Sequence, residues 1–241
     1  MTSDYQSLDN MDFFTDRAKK AITLGPAVAM LYQDKVPGLA EMRSVFETEK
    51  ILPLLQLTAN SKVLDVGCGL GRWAQKIAPL AELYIGTDYN PQLIEYARNN
   101  YSPSNAKYYV MSATDSALPV LANQINLVLF TGVAHYLNDY ELKEFANNLK
   151  KIVTHSKQIR FYLRAPISTT ESFTINKKWS TDLDFEYSAI YRDRESLLEL
   201  IFQEQAKFEI RAEQSGDLYP GEMNNRVETR QFFWIGDLIA K

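Results

Sequence analysis

Apolar residues recur at three- and four-residue steps through residues 16–30 and 39–55, punctuated by Gly25-Pro26 and Pro37-Gly38, so the first 60 residues read as helices. From Val63 the spacing changes. Val63-Leu64-Asp65-Val66 and residues 83–86 are short, nearly continuous apolar runs with the length of buried strands. Asn90-Pro91 then opens a helix to about Asn100, with Asn90 as N-cap and Pro91 at the first helical position. Residues 108–111 and 125–130 read as further strands, 140–153 as an amphipathic helix entered from Asn138-Asp139, and 158–163 as a fifth strand. Beyond them come a helix over 195–205 and strands over 207–212 and 231–239, the two strands separated by a polar connection.

Strands alternating with helices fold, by the right-handed crossover rule, into a doubly wound, mostly parallel α/β sheet. In such sheets ligands bind beyond the C-terminal ends of the strands. The turn after the first strand is Gly67-Cys68-Gly69-Leu70-Gly71, and Asp88 closes the second strand about twenty residues later. Glycines there let backbone approach a ligand, and an acid at that spacing can hydrogen-bond both hydroxyls of a ribose. The Gly-x-Gly-x-Gly spacing differs from the Gly-x-Gly-x-x-Gly of a pyrophosphate loop.

Preceded by Asp65, this run resembles motif I of the class I S-adenosylmethionine (SAM) dependent methyltransferases. The resemblance extends in topology from about residue 50 to 241. It implies a Rossmann-like, seven-stranded, mostly parallel sheet closed by a C-terminal antiparallel hairpin, and a single domain over 1–241. Residues 1–50 would be a helical extension or lid, with Tyr5, Phe13, Phe14, Arg17 and Tyr32 as lid candidates. Residues 165–193 would be an insertion roofing the acceptor pocket.

The same resemblance implies a SAM site at Asp65, Gly67, Cys68, Gly69, Gly71, Arg72, Trp73, Asp88 and Tyr89. Ala113, Thr114 and Asp115 would lie near the adenine, and Thr131 at the end of strand four. The family's acid after strand three is displaced or replaced here, since residues 111–115 read Met-Ser-Ala-Thr-Asp; Ser112 is a further candidate, and Asp115 has the alternative role of helix cap. His135 is the candidate general base, chosen because an imidazole titrates near neutral pH; its alternative is a packing or capping role. Tyr136, Arg164, Trp179 and Tyr191 are the candidate acceptor contacts, Arg164 because a guanidinium can fork onto a carboxylate or phosphate.

Composition narrows the function. The chain has 241 residues, 46% apolar, and a net charge of −4 without a basic stripe, which argues against nucleic-acid partners. Lacking an apolar run near 18 residues or a leader-like start, it is expected to be cytoplasmic and off the membrane. Cys68 is the single cysteine, and two histidines complete the soft ligands, so neither an intrachain disulfide nor a structural zinc site is expected. The expected activity is methyl transfer from SAM, leaving S-adenosylhomocysteine, to an O or N atom of a small polar metabolite such as an aminosugar, nucleotide sugar or natural-product intermediate. The chain would act without metal, as monomer or homodimer. A protein- or tRNA-directed methyltransferase and a non-catalytic SAM-binding protein are the alternatives.

Overall fold

The computed structural model describes residues 8–31, 36–121, 124–202, 208–224 and 226–241. Tyr5 and Tyr32, the last three residues of the helix expected over 195–205 and the first of the strand expected over 207–212 lie outside them.

A seven-stranded sheet forms the centre. Its strands are β1 (Lys62–Val66), β2 (Leu83–Asp88), β3 (Ala106–Val110), β4 (Leu127–Thr131), β5 (Gln158–Ser168), β8 (Phe208–Asp217) and β9 (Thr229–Ala240), in the order β3-β2-β1-β4-β5-β9-β8. The first five are parallel, and β9 pairs antiparallel with both β5 and β8. This is the doubly wound sheet that the alternation of strands and helices predicts, closed by the hairpin that the resemblance implies.

Both faces of the sheet are covered, which is why its strands read as continuous apolar runs. On one face α3 (Leu39–Ile51), α4 (Ala74–Ile77) and α5 (Pro91–Asn100) pack Ile51, Trp73, Ile77 and Ile94 against Val63, Tyr84 and Leu129. On the other, α6 (Leu118–Leu121), α7 (Asp139–Ser156) and α8 (Arg194–Phe202) pack onto Leu64, Val128, Phe130 and Phe161. Asn90 caps α5 by accepting from the Gln92 and Leu93 N–H groups. Asn138 and Glu141 close a reciprocal capping box on α7, fixing where the chain leaves β4.

Several boundaries shift for local reasons. The helical reading over 16–30 becomes α1 (Met11–Leu24) and α2 (Pro26–Leu31), parted at Gly25, whose φ is 85°. Pro53, which has no N–H to donate, ends α3 in a tighter turn over Leu52–Leu55. A register shift between Ala212 and Gln214 lets β8 run on to Asp217, shortening the expected polar connection. The stretch 165–193 is no loop: Ala165 to Ser168 continue β5, and β6 (Phe173–Ser180) and β7 (Phe185–Tyr191) form a separate antiparallel pair.

Helix α1 lies between that pair and α5. Asn10, just before α1, donates to the Ser188 carbonyl (2.9 Å) and accepts from the Ser188 N–H (2.8 Å). At the other side the Asn90 amide donates to the Met11 carbonyl and Thr15 hydroxyl. Arg17 is fully buried and ties α1 to α2 by donating to the carbonyls of Ala29 and Val28. Phe13 and Phe14 complete an apolar cluster with Leu93, Tyr136, Leu183, Tyr187 and Tyr191.

Candidate functional site

The tips of β1, β2, β3, β4 and β5 converge on one cavity of about 260 Å³. One wall is local in sequence. Gly67 and Cys68 follow β1, Arg72 and Trp73 come next, Asp88 and Tyr89 close β2, and Met111, Ser112 and Ala113 follow β3. Gly67 has φ of 73°, and a Cβ placed there would meet Val133 Cγ2 at 2.1 Å, so glycine alone fits that turn.

Asp88 is buried at the centre of this wall. Its Oδ2 accepts from the Gly69 N–H (3.1 Å) and its Oδ1 from the Asn90 N–H (2.9 Å). Burial raises its pKa to about 6, against the pull of those N–H donors. The Tyr89 N–H also bonds this carboxylate, whose two oxygens together offer about four acceptor sites and so keep capacity for further hydroxyl groups.

The other wall is assembled from distant segments: Met30 and Arg43 from α2 and α3, Thr131 to Leu137 after β4, Arg164 on β5, Tyr187 and Tyr191 on β7, and Tyr219, Arg226 and Gln231 around the last turn. Behind it lies a buried ion network. Glu47, with no exposed surface, pairs with Arg72 (2.7 Å) and Arg164 (3.2 Å) and accepts from the Tyr162 hydroxyl (2.7 Å). Burial works to raise its pKa, but the two guanidiniums and the hydroxyl overcome it and hold the carboxylate below its ordinary range. Arg72, in the glycine loop, and Arg164, at the tip of β5, are thus held by one carboxylate from α3.

The segment carrying His135 is clamped from outside. Arg192, just after β7, donates to Asp139 at 2.6 and 2.9 Å and to the carbonyls of Ala134 and Leu137. His135 is buried against Tyr136 (ring centroids 3.9 Å apart) and faces Tyr191 (5.9 Å), and its Nδ1 has no hydrogen-bond partner. Burial, with Arg164 and Arg192 nearby, lowers its pKa to about 3. The imidazole is therefore neutral at physiological pH and a weak base, unlike the near-neutral titrator expected from residue type alone.

Most of the residues singled out in the sequence meet at this cavity: Gly67, Cys68, Arg72, Trp73, Asp88, Tyr89, Ala113, Thr131, His135, Tyr136, Arg164 and Tyr191. Six do not line it. Asp65 is buried within the sheet, where it accepts from the Tyr84 hydroxyl (2.5 Å) and has its pKa raised by burial to about 6. Gly69 and Gly71 turn the loop behind its wall, a Cβ on Gly69 meeting the Met30 methyl at 2.5 Å. Thr114 is bonded back to Ser112, and Asp115 caps the next turn by accepting from the Ala117 N–H (2.8 Å). Trp179 is 54% exposed on β6 because the strand pair turns that side chain to solvent.

Sequence reading missed Met30, Arg43, Glu47, Tyr219, Arg226 and Gln231. For two of them a signal existed: Ala40, Arg43, Glu47 and Ile51 form the buried stripe of α3, and two charges on a core-facing stripe mark a site or an ion pair. Among the described residues, no cluster of His, Cys, Asp and Glu is arranged to hold a metal ion, and no helix is long and apolar enough to cross a membrane.

Comparison with known proteins agrees with this architecture. Residues 63–156 match the family model described as "Methyltransferase domain". A stretch of 99 residues is 32% identical to phosphoethanolamine N-methyltransferase 1 of Caenorhabditis elegans, covering 41% of this chain and 20% of that protein. The structure of Haemonchus contortus phosphoethanolamine N-methyltransferase 1, in complex with phosphoethanolamine and S-adenosylhomocysteine, superposes with a TM-score of 0.68 at 19% identity, over 100% of this chain and 50% of that one. A SAM-dependent methyltransferase from Leishmania major superposes at 0.63 with 15% identity, over 92% and 82% of the two chains. The chain thus spans about a fifth of the C. elegans protein and half of the H. contortus one. The family match is thus confined to residues 63–156, and the fold is one that the chain shares with solved SAM-dependent methyltransferases.

Proposed function

We propose that this chain transfers a methyl group from SAM to a nitrogen of a small polar metabolite. The observation that carries the reading is that one cavity is lined both by the Gly67–Asp88–Ala113 wall and by His135, Tyr136, Arg164 and Tyr191. Gly67, Cys68, Asp88, Tyr89, Ser112 and Ala113 would hold the cofactor, Asp88 through the ribose hydroxyls. The cofactor, when bound, supplies a methyl group activated by its sulfonium.

The protein's task is then alignment and exclusion of water. Helix α1 and the β6–β7 pair serve as the roof, since Phe14 packs edge-on against both Tyr89 (5.8 Å) and Tyr136 (4.9 Å) and so joins the two walls. His135 favours nitrogen over oxygen. An alcohol must give up its proton as the bond forms and needs a base matched to neutral pH, which an imidazole with a pKa of about 3 is not. An amine that enters neutral needs only a hydrogen-bond acceptor, which the unpaired Nδ1 provides.

The size of the cavity supports a small acceptor rather than a protein or tRNA. The homologous phosphoethanolamine N-methyltransferases, which by name act on nitrogen of a small molecule, point the same way. Titration calorimetry of the purified chain with S-adenosylhomocysteine tests the reading: micromolar binding is expected, weakened by about 2–3 kcal/mol in Asp88→Ala, where hydrogen bonds to a charged acceptor are lost. Absence of binding by the wild-type chain would overturn it.

A further inference from the structure

Glu47 does not line the cavity, yet both walls are held through it. Its side chain is fully buried, and its two oxygens serve different walls. Oε2 takes Arg72 Nη2 at 2.7 Å, and Arg72 follows the glycine turn on the cofactor side. Oε1 lies 3.2 Å from Arg164 Nε and accepts from the Tyr162 hydroxyl at 2.7 Å, so it serves the tip of β5 on the other side.

Beyond this carboxylate the two arginines reach the cavity at separate places. Arg72 lies over the indole of Trp73 (4.9 Å from guanidinium carbon to ring centroid), and both residues line the cofactor wall. Arg164 lies against the backbone after β4: its Nη2 is 3.1 Å from where a Cβ on Gly132 would be, and its carbonyl accepts from the Gly132 N–H at 2.7 Å. Gly132 opens the segment that carries His135, and burial first, then the charge of Arg164, lower the pKa of that imidazole. Arg164 has interactions besides the one with Glu47, so its share of the carboxylate can change without unseating the side chain. A buried carboxylate has one charge to divide. Whatever draws one arginine away from it strengthens its pull on the other.

We infer that Glu47 is a positioning residue that couples the two halves of the site: a cofactor bound at Arg72 tightens Glu47 onto Arg164 and so sets the acceptor end beside Gly132 and His135. The inference rests on the methyltransferase reading above and adds to it that the acceptor binds better once the cofactor is in place. A ligand group that engages Arg72 from the cavity competes with Oε2 for the guanidinium and leaves more of the carboxylate's charge for Arg164. Coupling between sites is reciprocal, so an Arg164 well held by Glu47 leaves Arg72 available and strengthens cofactor binding. A second contact joins the walls without Glu47, that of the Val133 side chain with Gly67.

The test is a double-variant cycle read in cofactor affinity. Calorimetry with S-adenosylhomocysteine is run on the full wild-type chain, Arg164→Met, Glu47→Gln and the double variant, at a temperature where thermal unfolding shows each of them folded. Arg164 belongs to the acceptor wall, so a Glu47 that only stabilises the fold would leave the affinity of Arg164→Met unchanged. Arg164→Met is expected to weaken binding about fivefold, the low end of ordinary coupling between sites, and by less than about twofold in the Glu47→Gln background. Where Glu47→Gln does not fold, Glu47→Asp replaces it: the buried charge is kept, the side chain is one methylene too short to serve both arginines, and the same loss of coupling is expected. With Glu47 unchanged, imidazole NMR reads the acceptor end directly. Arg72→Met, on the cofactor wall, should move the His135 signal and leave that of the exposed His155, the second of the two histidines, in place. An unmoved His135 signal, or an Arg164→Met affinity within about twofold of wild type, would overturn the inference. Equal weakening by Arg164→Met in both backgrounds would also overturn it and assign the link to Val133 and Gly67. Each of these results leaves the methyltransferase reading standing, because the wild-type chain still binds. Failure of the wild-type chain to bind S-adenosylhomocysteine would remove both.

Discussion

The two walls of the cavity are built in different ways. The wall around Asp88 comes from three successive strand tips between Gly67 and Ala113, and its key bonds, such as Gly69 N–H to Asp88, span about twenty residues. The wall around Arg164 joins residues from α3 to β9, and the bonds that fix it cross the chain: Tyr162 to Glu47, Arg43 to Met223, Asn10 to Ser188. A wall made of one βαβ unit is reproduced wherever the unit is. A wall made of distant pieces can be rebuilt piece by piece around a new acceptor while the first remains unchanged, which fits a family match confined to 63–156.

The sharpest way to break the second wall is Glu47→Gln. It leaves Arg72 and Arg164 facing each other across a buried site without their carboxylate, and should destabilise the fold by about 3–5 kcal/mol in urea melts. If the pairing is structural, the double variant Glu47→Gln/Arg164→Met will cost less than the sum of the single changes; strict additivity would show the two residues to be uncoupled.

Breaking the first wall needs only a methyl group. Gly67→Ala puts a Cβ 2.1 Å from Val133 in a left-handed backbone conformation, and should cost about 2–4 kcal/mol and abolish S-adenosylhomocysteine binding. Adding Val133→Ala should restore the steric part of the stability and not the backbone part. Full recovery would mean that φ at Gly67 carries no strain.

Where the walls are joined, Asn10→Ala removes both bonds to Ser188 and should cost about 1–2 kcal/mol. The loss should appear as faster hydrogen exchange in α1 and faster release of S-adenosylhomocysteine, with little change at the β1–β4 centre. Uniform acceleration across the sheet would show instead that α1 unfolds only with the whole protein.

The walls also differ in their response to pH. Asp88, and Asp65 in the sheet behind it, have folded pKa values of about 6, raised from 3.8, so the stability they contribute is complete below 3.8 and is lost as pH rises through 6. His135, lowered from 6.5 to about 3, contributes stability that is present above 6.5 and lost as pH falls through 3. Affinity for S-adenosylhomocysteine should rise between pH 5 and 7 as Asp88 ionises, and calorimetry of Asp88→Asn should show that rise reduced. The smallest effect is expected at Trp179: its replacement by Ala should change stability by less than about 0.5 kcal/mol and leave acceptor affinity unaltered, since the ring is exposed and off the cavity.

The positions of Asp88, Asn90 and Asn138 were legible because the ends of strands and the starts of helices are marked by the pattern of nearby residues. His135 was legible as a position and not as a base: the sequence holds the imidazole, but Arg164 and Arg192, which lower its pKa together with burial, are brought to it by β5 and β7. Asp115 takes the capping role that the sequence left open, and Trp179 lies off the cavity because an aromatic in a polar stretch carries no mark of direction, which an outward-facing strand position decides.

The sequence by itself determined the alternation of strands and helices, the glycine turn and the acid that faces it, because short-range sterics and hydrophobic periodicity act on neighbouring residues. Only the tertiary structure decided that Glu47 would hold Arg72 and Arg164, and that Arg43, Arg164 and Arg226 would share one wall. Those relations join residues tens to nearly two hundred positions apart. Electrostatics and burial act through space, and that space exists only once the sheet has closed.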